Sequence, residues 1–370
     1  MTYQFSSGQG ISVRKNQIVP CELRLAVTRQ CNGRCIHCYN DSGKNIDLLA
    51  TRDYIRTIYE LKEINPCFDR ITLTGGEPLL KKDRVFEITE AACSLDIRVR
   101  LVTRGWELTP DVCKELKLAG VTRVQIGLDS SGGRPFTEQH QGYDTFHSFL
   151  RAEQGGFNRA VLGIKNAVAA GISVSVRYSL AKSNINDLLE TYRFCSGLGV
   201  FKFKLRALFP SGEAKRKLIG ELVDGNELAV AQFELIQESA KHKALVEVTQ
   251  PNYYDLPSRN QLGQSFHKAY KEQCPCGTKA AYVDSNGDVK YCLFDEEVLG
   301  NIRRDSLIRI WNSEKVIKAR LYRCLPTGNS CSSFKLLYSE FKNYSSFVEE
   351  YASKAKELEQ NMRLKPARSK

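Results

Sequence analysis

No stretch of this chain carries about 18 consecutive apolar residues, the length a helix needs to cross a bilayer. The N-terminal segment MTYQFSSGQGISVRKNQ has no apolar core, so it does not read as a secretory signal. Both absences point to a cytoplasmic protein with no membrane partner. Internal repeats and low-complexity segments are also missing, which excludes solenoids and compositionally biased linkers. Acidic residues are in the minority, 42 against 54 basic ones, and the formal net charge is +12. Such a surplus suits nucleic acid, an acidic peptide or a phosphorylated substrate. Yet no motif interleaves aromatic and basic residues in the way RNA binding needs, which argues against nucleic acid. The basic C-terminal stretch KAKELEQNMRLKPARSK reads as a solvated helix and tail.

What is present is ordinary globular material, 42% hydrophobic and 26% charged, in 370 residues. That is room for one large domain and a smaller one. The chain holds 13 cysteines. In a reducing cytosol they are poor disulfide candidates, so any that cluster read as metal ligands.

From residue 21 to about 210, short apolar runs alternate with helical patterns. CELRLAV, DRITLTGGEP, IRVRLVTRG, VTRVQIGLDSS, ISVSVRYSL and VFKFKLRA read as strands, and helical segments separate them. One helix is well signed: Thr109 as N-cap, Pro110 in the first turn, Gly120 as the stop. Six such units predict an α/β fold with a parallel sheet and helices outside, too few for a closed eight-fold barrel. Polar residues and glycines sit at the C-terminal strand ends, where such folds build their sites: Gly75, Gly76 and Glu77; Thr103 and Gly105; Asp129 and Ser130; Arg177 and Ser179. Residues 213–272 read as a helical connector with an aromatic loop, PNYYDLPSRN. CPCGTKAAYVDSNGDVKYC predicts a hairpin turning at Ser285-Asn286-Gly287-Asp288. A closing helix is expected over 334–360. The resulting division is an extension at 1–20, an α/β unit at 21–212, the connector, a cysteine-bearing unit at 273–335, and a helix with basic tail at 336–370.

The loop after the first strand holds Cys31, Cys35 and Cys38, spaced Cys-x3-Cys-x2-Cys. Tetrahedral zinc wants four ligands, and His37 is an available fourth. A cubane [4Fe–4S] cluster on three thiolates instead leaves one iron without a protein ligand. An open position is what separates catalytic from structural metal sites. The missing fourth cysteine then signals a small molecule on that iron.

On these residues the chain resembles the radical S-adenosylmethionine (SAM) superfamily, whose motif has the same spacing and commonly an aromatic beside the last cysteine, as Tyr39 is here. The resemblance implies a partial (β/α)6 TIM-like barrel. It also implies a [4Fe–4S] cluster whose open iron binds SAM through its amino and carboxylate groups. One electron, from a flavodoxin- or ferredoxin-type donor, would cleave the sulfonium to methionine and a 5′-deoxyadenosyl radical, which takes a hydrogen atom from a substrate C–H bond. In that family the segment matching Thr74–Pro78 receives the methionine amino group. Gly75 and Gly76 suit a close backbone approach, and Glu77 suits an ammonium. Asp129 and Ser130 fall where the family places ribose-binding groups. Arg177, with Ser179, falls where it places a carboxylate-binding arginine. Each has a structural alternative: Asp129 as a helix cap, Arg177 as a surface strand residue. One departure shows at Thr103-Arg104-Gly105, where many relatives have Thr-Asn-Gly.

The last quarter holds Cys274, Cys276, Cys292, Cys324 and Cys331. Cys276-x10-Gly287-x4-Cys292 and the following LGNIRRDSLIRIW resemble the SPASM and Twitch modules, which carry auxiliary clusters in this superfamily. Five cysteines suffice for one fully ligated second [4Fe–4S] cluster, which favours Twitch. The best ligand set is Cys276, Cys292, Cys324 and Cys331, with Cys274 as substitute. A zinc ribbon explains four thiolates equally well. Cys21, Cys67, Cys93, Cys113 and Cys195 stand singly and read as core thiols.

Relatives with such modules modify peptides, mature cofactors or enzymes, or act on sugars and aminocyclitols. The resemblance therefore implies a radical SAM oxidoreductase or maturase acting on a peptide or a small-molecule intermediate. Only 30 residues precede Cys31, which leaves no room for a leader-binding domain there and weakens the peptide reading. An oxidation would want a general base. Asp295 and Tyr291, flanking Cys292, are the candidates, with a turn role as the alternative for Asp295. Epimerisation, methyl transfer and a non-catalytic zinc protein remain as alternatives.

Overall fold

The computed structural model describes residues 19–40, 42–43, 48–133, 142–248, 276, 279–317 and 344–363. Cys274, Cys324, Cys331, the loop PNYYDLPSRN and residues 334–343 of the expected closing helix lie outside the described residues.

The six expected units form in order. They are β1 Glu22–Thr28 and α1 Thr51–Ile64, β2 Arg70–Gly75 and α2 Lys82–Cys93, then β3 Arg98–Thr103 and α3 Pro110–Ala119. β4 Val121–Gly127 is followed by two helices, α4 Phe146–Arg151 and α5 Gly156–Ala169. β5 Ser173–Leu180, α6 Leu188–Gly197 and β6 Lys202–Ala207 complete the set. The Thr109 hydroxyl accepts from the Val112 amide at 3.3 Å, and Gly120 takes the left-handed conformation that ends α3, as its signals predict.

The strands are parallel and lie in sequential order from β1 to β6. Right-handed crossovers between neighbouring parallel strands put all the helices on one face. Alternation along each strand follows from this. Leu23, Leu25, Ile71, Leu73, Val99, Leu101, Val124, Val174, Val176, Phe203 and Leu205 are completely or almost completely buried in the apolar core beneath the helices. Arg24, Arg70, Arg100, Arg123, Arg177, Lys204 and Arg206 alternate with them, half-buried, on the opposite inner face.

Two findings correct the expected connector and hairpin. The connector holds α7 Glu213–Lys217 and α8 Gly225–Ser239 but also a strand, β7 Leu245–Val248, parallel to β6. Four residues are too few for strand periodicity to show in the sequence. The hairpin forms as β8 Ala280–Val283 and β9 Asp288–Lys290, with the Gly287 amide donating to the Asp284 carbonyl at 2.9 Å. It does not stand apart: β8 pairs in parallel with β1, so the sheet has ten strands, ordered β10-β9-β8-β1-β2-β3-β4-β5-β6-β7, where β10 is Gly300–Asn301. α9 Leu307–Trp311 follows, and α10 Tyr344–Arg363 lies against α8.

β1 is thereby enclosed by β2 and β8. Replacing its fully buried Leu25 with Ala should cost about 2–5 kcal/mol, read as a lower denaturation midpoint with unchanged slope.

Candidate active site

The cysteine loop leaves the C-terminal end of β1 and is held at its stem by the turn after β2. The Gly76 amide donates to the Thr28 carbonyl at 2.8 Å, and the Glu77 amide to the Gln30 carbonyl at 2.9 Å. Side chains are excluded at this turn: a Cβ on Gly75, whose φ is +134°, would overlap the Thr28 carbonyl, and one on Gly76 would overlap that of Gln30. Glu77 is buried. Its carboxylate accepts from the Thr103 hydroxyl at 2.8 Å, the Leu79 amide at 3.1 Å and the Arg104 amide at 2.9 Å. Burial pushes its pKa up, partly offset by those donors. Thr103 and Glu77 thus join the ends of β2 and β3.

Each of the three thiols meets a donor or polar group. The Gly33 amide points at Cys31 Sγ at 3.4 Å and Arg104 Nη1 lies 3.9 Å from it. Arg104 is buried, with Cζ 3.3 Å from the Trp106 ring centroid and Nη1 donating to Asn32 Oδ1 at 2.9 Å; among the described residues its Nε and Nη2 have no hydrogen-bond partner. Arg151 Nη1 lies 3.9 Å from Cys35 Sγ while Nη2 donates to Asp129 Oδ2 at 3.1 Å. The Ser42 amide donates to Cys38 Sγ at 3.4 Å, and that thiol lies 3.1 Å from Asn40 Oδ1. Amide donors and buried guanidiniums beside the thiols fit an anionic iron–sulfur core, whose sulfurs accept such bonds. Among the described residues no three His, Cys, Asp or Glu side chains gather closely enough to hold a single ion. His37, the possible fourth zinc ligand, is buried, with Nδ1 3.0 Å from the Leu150 carbonyl.

Asp129 is fully buried. Oδ1 accepts from the Ser179 amide at 2.8 Å, Oδ2 takes Arg151 and lies 3.3 Å from His147 Nδ1, and the backbone carbonyl accepts from Asn184 Nδ2 at 3.1 Å. Among the described residues it caps no helix; it joins the ends of β4, β5 and α4. Burial alone would raise its pKa, but Arg151 and His147 hold it well below the usual carboxylate range. The Ser130 hydroxyl accepts from the Gly132 amide at 3.0 Å. Arg177 is half-buried on the inner face and makes no hydrogen bond or ion pair with the described residues, which leaves its guanidinium open to a carboxylate. Burial, with Arg206 and Arg151 nearby, lowers its pKa to about 10. Tyr39 sits edge-on to Phe294 at 5.4 Å, and burial pushes its hydroxyl up to about 12.

The segments that carry the two cysteine groups are linked through neighbouring side chains. Cys276 and Cys292 are buried, and Arg24 Nη1 lies 3.6 Å from Cys276 Sγ. Burial opposes the Arg24 charge, but Cys276, Glu22 and Cys292 raise its pKa overall. Arg29 connects the two groups. It grips both carboxylate oxygens of Asp284, at the hairpin turn, and donates to the Asn40 carbonyl at 3.2 Å. Both candidate bases make structural contacts. Tyr291 is buried against Trp311 and donates its hydroxyl to the Val316 carbonyl at 2.8 Å. Asp295 accepts from the Glu297 amide at 3.1 Å, capping the turn after Cys292. Sequence reading missed Arg24, Arg29 and Arg151, which carry no local signal. Arg104 had one, as the departure from Thr-Asn-Gly.

An open-edged parallel barrel with three cysteines on the loop after its first strand defines a cluster-binding α/β enzyme class. Comparison places the chain within it: residues 25–195 match the family model described as the radical SAM superfamily, and residues 274–333 match the SPASM iron–sulfur cluster-binding domain. The chain carries a radical SAM domain and a C-terminal SPASM domain. The AdoMet-dependent heme synthase of Methanosarcina barkeri is 25% identical over 81% of this chain and 84% of its own length. The sporulation killing factor maturation protein SkfB of Bacillus subtilis is 26% identical over 84% of this chain and 69% of its own. The structure of Streptococcus suis SuiB bound to precursor peptide SuiA superposes with a TM-score of 0.62 at 14% identity, covering 81% of this chain and 66% of that one. Its likeness supports the fold. The protein's cofactors are a [4Fe–4S] cluster that binds SAM and an auxiliary iron–sulfur cluster. Among the described residues no helix is long and apolar enough to cross a membrane.

Two outcomes follow from these charges. Asp129→Asn leaves Arg151 buried without its counter-charge and should destabilise the protein by about 3–5 kcal/mol at neutral pH. Because the folded pKa lies below the unfolded value of about 3.9, this contribution is complete above that pH and fades as pH falls toward the folded value. Acid titrations of both proteins should converge. Arg104→Met should shift the midpoint potential of the cluster on Cys31 to more negative values in an EPR-monitored titration, since a buried cation favours the more negative reduced core.

Proposed function

We propose that the protein is a radical SAM oxidoreductase or maturase. It takes a hydrogen atom from a peptide or a natural-product or cofactor intermediate, and the reaction ends in net oxidation or bond formation. The observation that carries this reading is that the segments bearing the two cysteine groups are joined by the Arg29–Asp284 ion pair and by Tyr39 against Phe294. A cluster held by Cys31, Cys35 and Cys38 would supply the electron for reductive cleavage of bound SAM, and an auxiliary cluster held in part by Cys276 and Cys292 would take up the second electron of a substrate oxidation, its proton passing to solvent.

The chain's own residues bind and orient. Arg177 takes the methionine carboxylate, the backbone at Gly75 and Gly76 admits the amino group, and Glu77 balances its charge from behind. Ser130 and Ser179 line the ribose side, with Asp129 holding the Ser179 amide in place. Cys31, Cys35 and Cys38 ligate the first cluster. Cys276, Cys292, Cys324 and Cys331, with Cys274 as substitute, ligate the second. A flavodoxin or ferredoxin fits as the electron donor. Residues 21–212 form the catalytic unit and 273–335 the auxiliary one. No catalytic proton transfer is assigned to Tyr291 or Asp295.

Cys35→Ala should abolish 5′-deoxyadenosine formation while the auxiliary iron stays in place. Cys292→Ala should leave slow, uncoupled SAM cleavage with no product. Full cleavage by the Cys35 variant would overturn the reading. Iron analysis of the Cys31/Cys35/Cys38 triple-alanine variant separates the outcomes further: loss of half the iron fits two cubanes, and loss of all of it favours redox-neutral chemistry such as epimerisation.

A further inference from the structure

The inner face of the sheet carries far more positive charge than the fold itself uses. Along β3 to β7 it presents Arg100, Arg123, Arg177, Lys202, Lys204 and Arg206 against one carboxylate, Glu247. Glu247 is shared by Lys202 at 2.9 Å and Lys204 at 3.3 Å. Arg100, Arg177 and Arg206 make no hydrogen bond or ion pair with the described residues. Arg177 stands beside Lys204 in the β5–β6 register, and Ser179 beside Arg206. The charges therefore run as one continuous strip toward the cysteine loops. Like charges crowded on a half-buried face are unfavourable unless an anion joins them. Burial with this crowding already lowers Lys204 to about 8.

SAM does not supply the missing charge. Its carboxylate suits Arg177, but it brings an ammonium and a sulfonium as well, so it enters as a net cation. Arg206 is also built for a ligand. Its Cζ lies 5.1 Å from the Phe294 ring centroid and 5.7 Å from that of Phe209, and those rings stack on each other at 4.3 Å. Phe294 in turn touches Tyr39, beside Cys38, and follows Cys292 by two residues. The guanidinium is thus oriented by aromatic faces, and among the described residues nothing takes its N–H fork, which suits a bidentate acceptor.

We propose that the inner face of β5 and β6 is an anion site for the substrate, and that the substrate is a compact molecule bearing at least two carboxylate or phosphate groups, one of them held by Arg206. The assignment of this anion as substrate rests on the radical SAM reading above; the anion site itself does not. Enclosure on the concave face favours a small molecule over a chain lying across the barrel mouth.

The test is calorimetry on the anaerobically reconstituted full-length protein with SAM already bound. Tricarballylate and inorganic pyrophosphate are the probes, and propane-1,2,3-tricarboxamide is the neutral control. One saturable site is expected for at least one anion, and the preferred probe tells carboxylate from phosphate. Arg206→Gln should weaken it by about tenfold and Arg206→Lys by less, while SAM affinity and the SAM-perturbed EPR signal stay unchanged. Arg216→Gln, on exposed α7, should leave anion binding as it is. Equal binding by Arg206→Gln, equal binding of the neutral triamide, or an equal loss in Arg216→Gln overturns the proposal. So does binding of hexaglutamate with neither small anion, which would assign the face to an acidic peptide. Loss of the SAM-perturbed signal in the wild type, with anion binding intact, would instead overturn the reaction reading.

Discussion

Asp129 holds a negative charge with no access to water, and much of the site is organised by what that charge requires. A buried carboxylate stays ionised only with strong partners. Arg151 supplies the counter-charge from the end of α4, the Ser179 amide donates from β5, and His147 closes the remaining side. Three elements distant in sequence are thereby pinned at the C-terminal edge of the sheet. The same Arg151 reaches Cys35 with its other nitrogen. The cysteine loop is therefore not a free appendage of β1: the electrostatics of the far side of the barrel fix where its middle cysteine meets positive charge.

The second organising constraint is the division of the sheet into two faces. Sequential parallel order sends every crossover to the same side, so one face of each strand must be apolar and the other need not be. Leu23, Leu25 and Ile71 meet that demand with complete burial. The free face has been filled with arginine and lysine. A partial barrel, unlike a closed one, does not pack its interior solid, and this leaves a concave cationic surface beneath the edge where the cysteines lie.

The hairpin gives the third. By adding β8 to β1 it brings Cys292 and Phe294 to the wall of the barrel. Arg29 secures the junction through Asp284, and Leu48 and Leu49 donate their amides to the Ser285 carbonyl at 3.0 Å. Asp284 is almost fully buried, so loss of Arg29 would leave it uncompensated. The two cysteine-bearing segments are joined because a strand pairing and an ion pair converge, although they lie far apart in sequence.

By itself the sequence determined the six strand–helix units, the cap and stop of α3, the hairpin turn and the three-cysteine loop. These are local features: they rest on periodicity, on the conformational limits of proline and glycine, and on ligand spacing within eight residues. The sequence also marked Gly75, Gly76 and Glu77, because a turn that must approach another backbone needs glycine. Tertiary structure decided the rest. It gave Tyr291 a carbonyl partner and Asp295 a turn, where sequence proximity to Cys292 had suggested catalysis. It made Asp129 the centre of an ion-pair network rather than a cap, and brought Arg104, Arg151 and Arg24 to cysteine sulfurs 73, 116 and 252 residues away. It turned four residues of the connector into β7, because an existing edge strand can recruit a partner too short to declare itself. Long-range electrostatic pairing has no period and no fixed spacing, so only the folded chain reveals which charges meet.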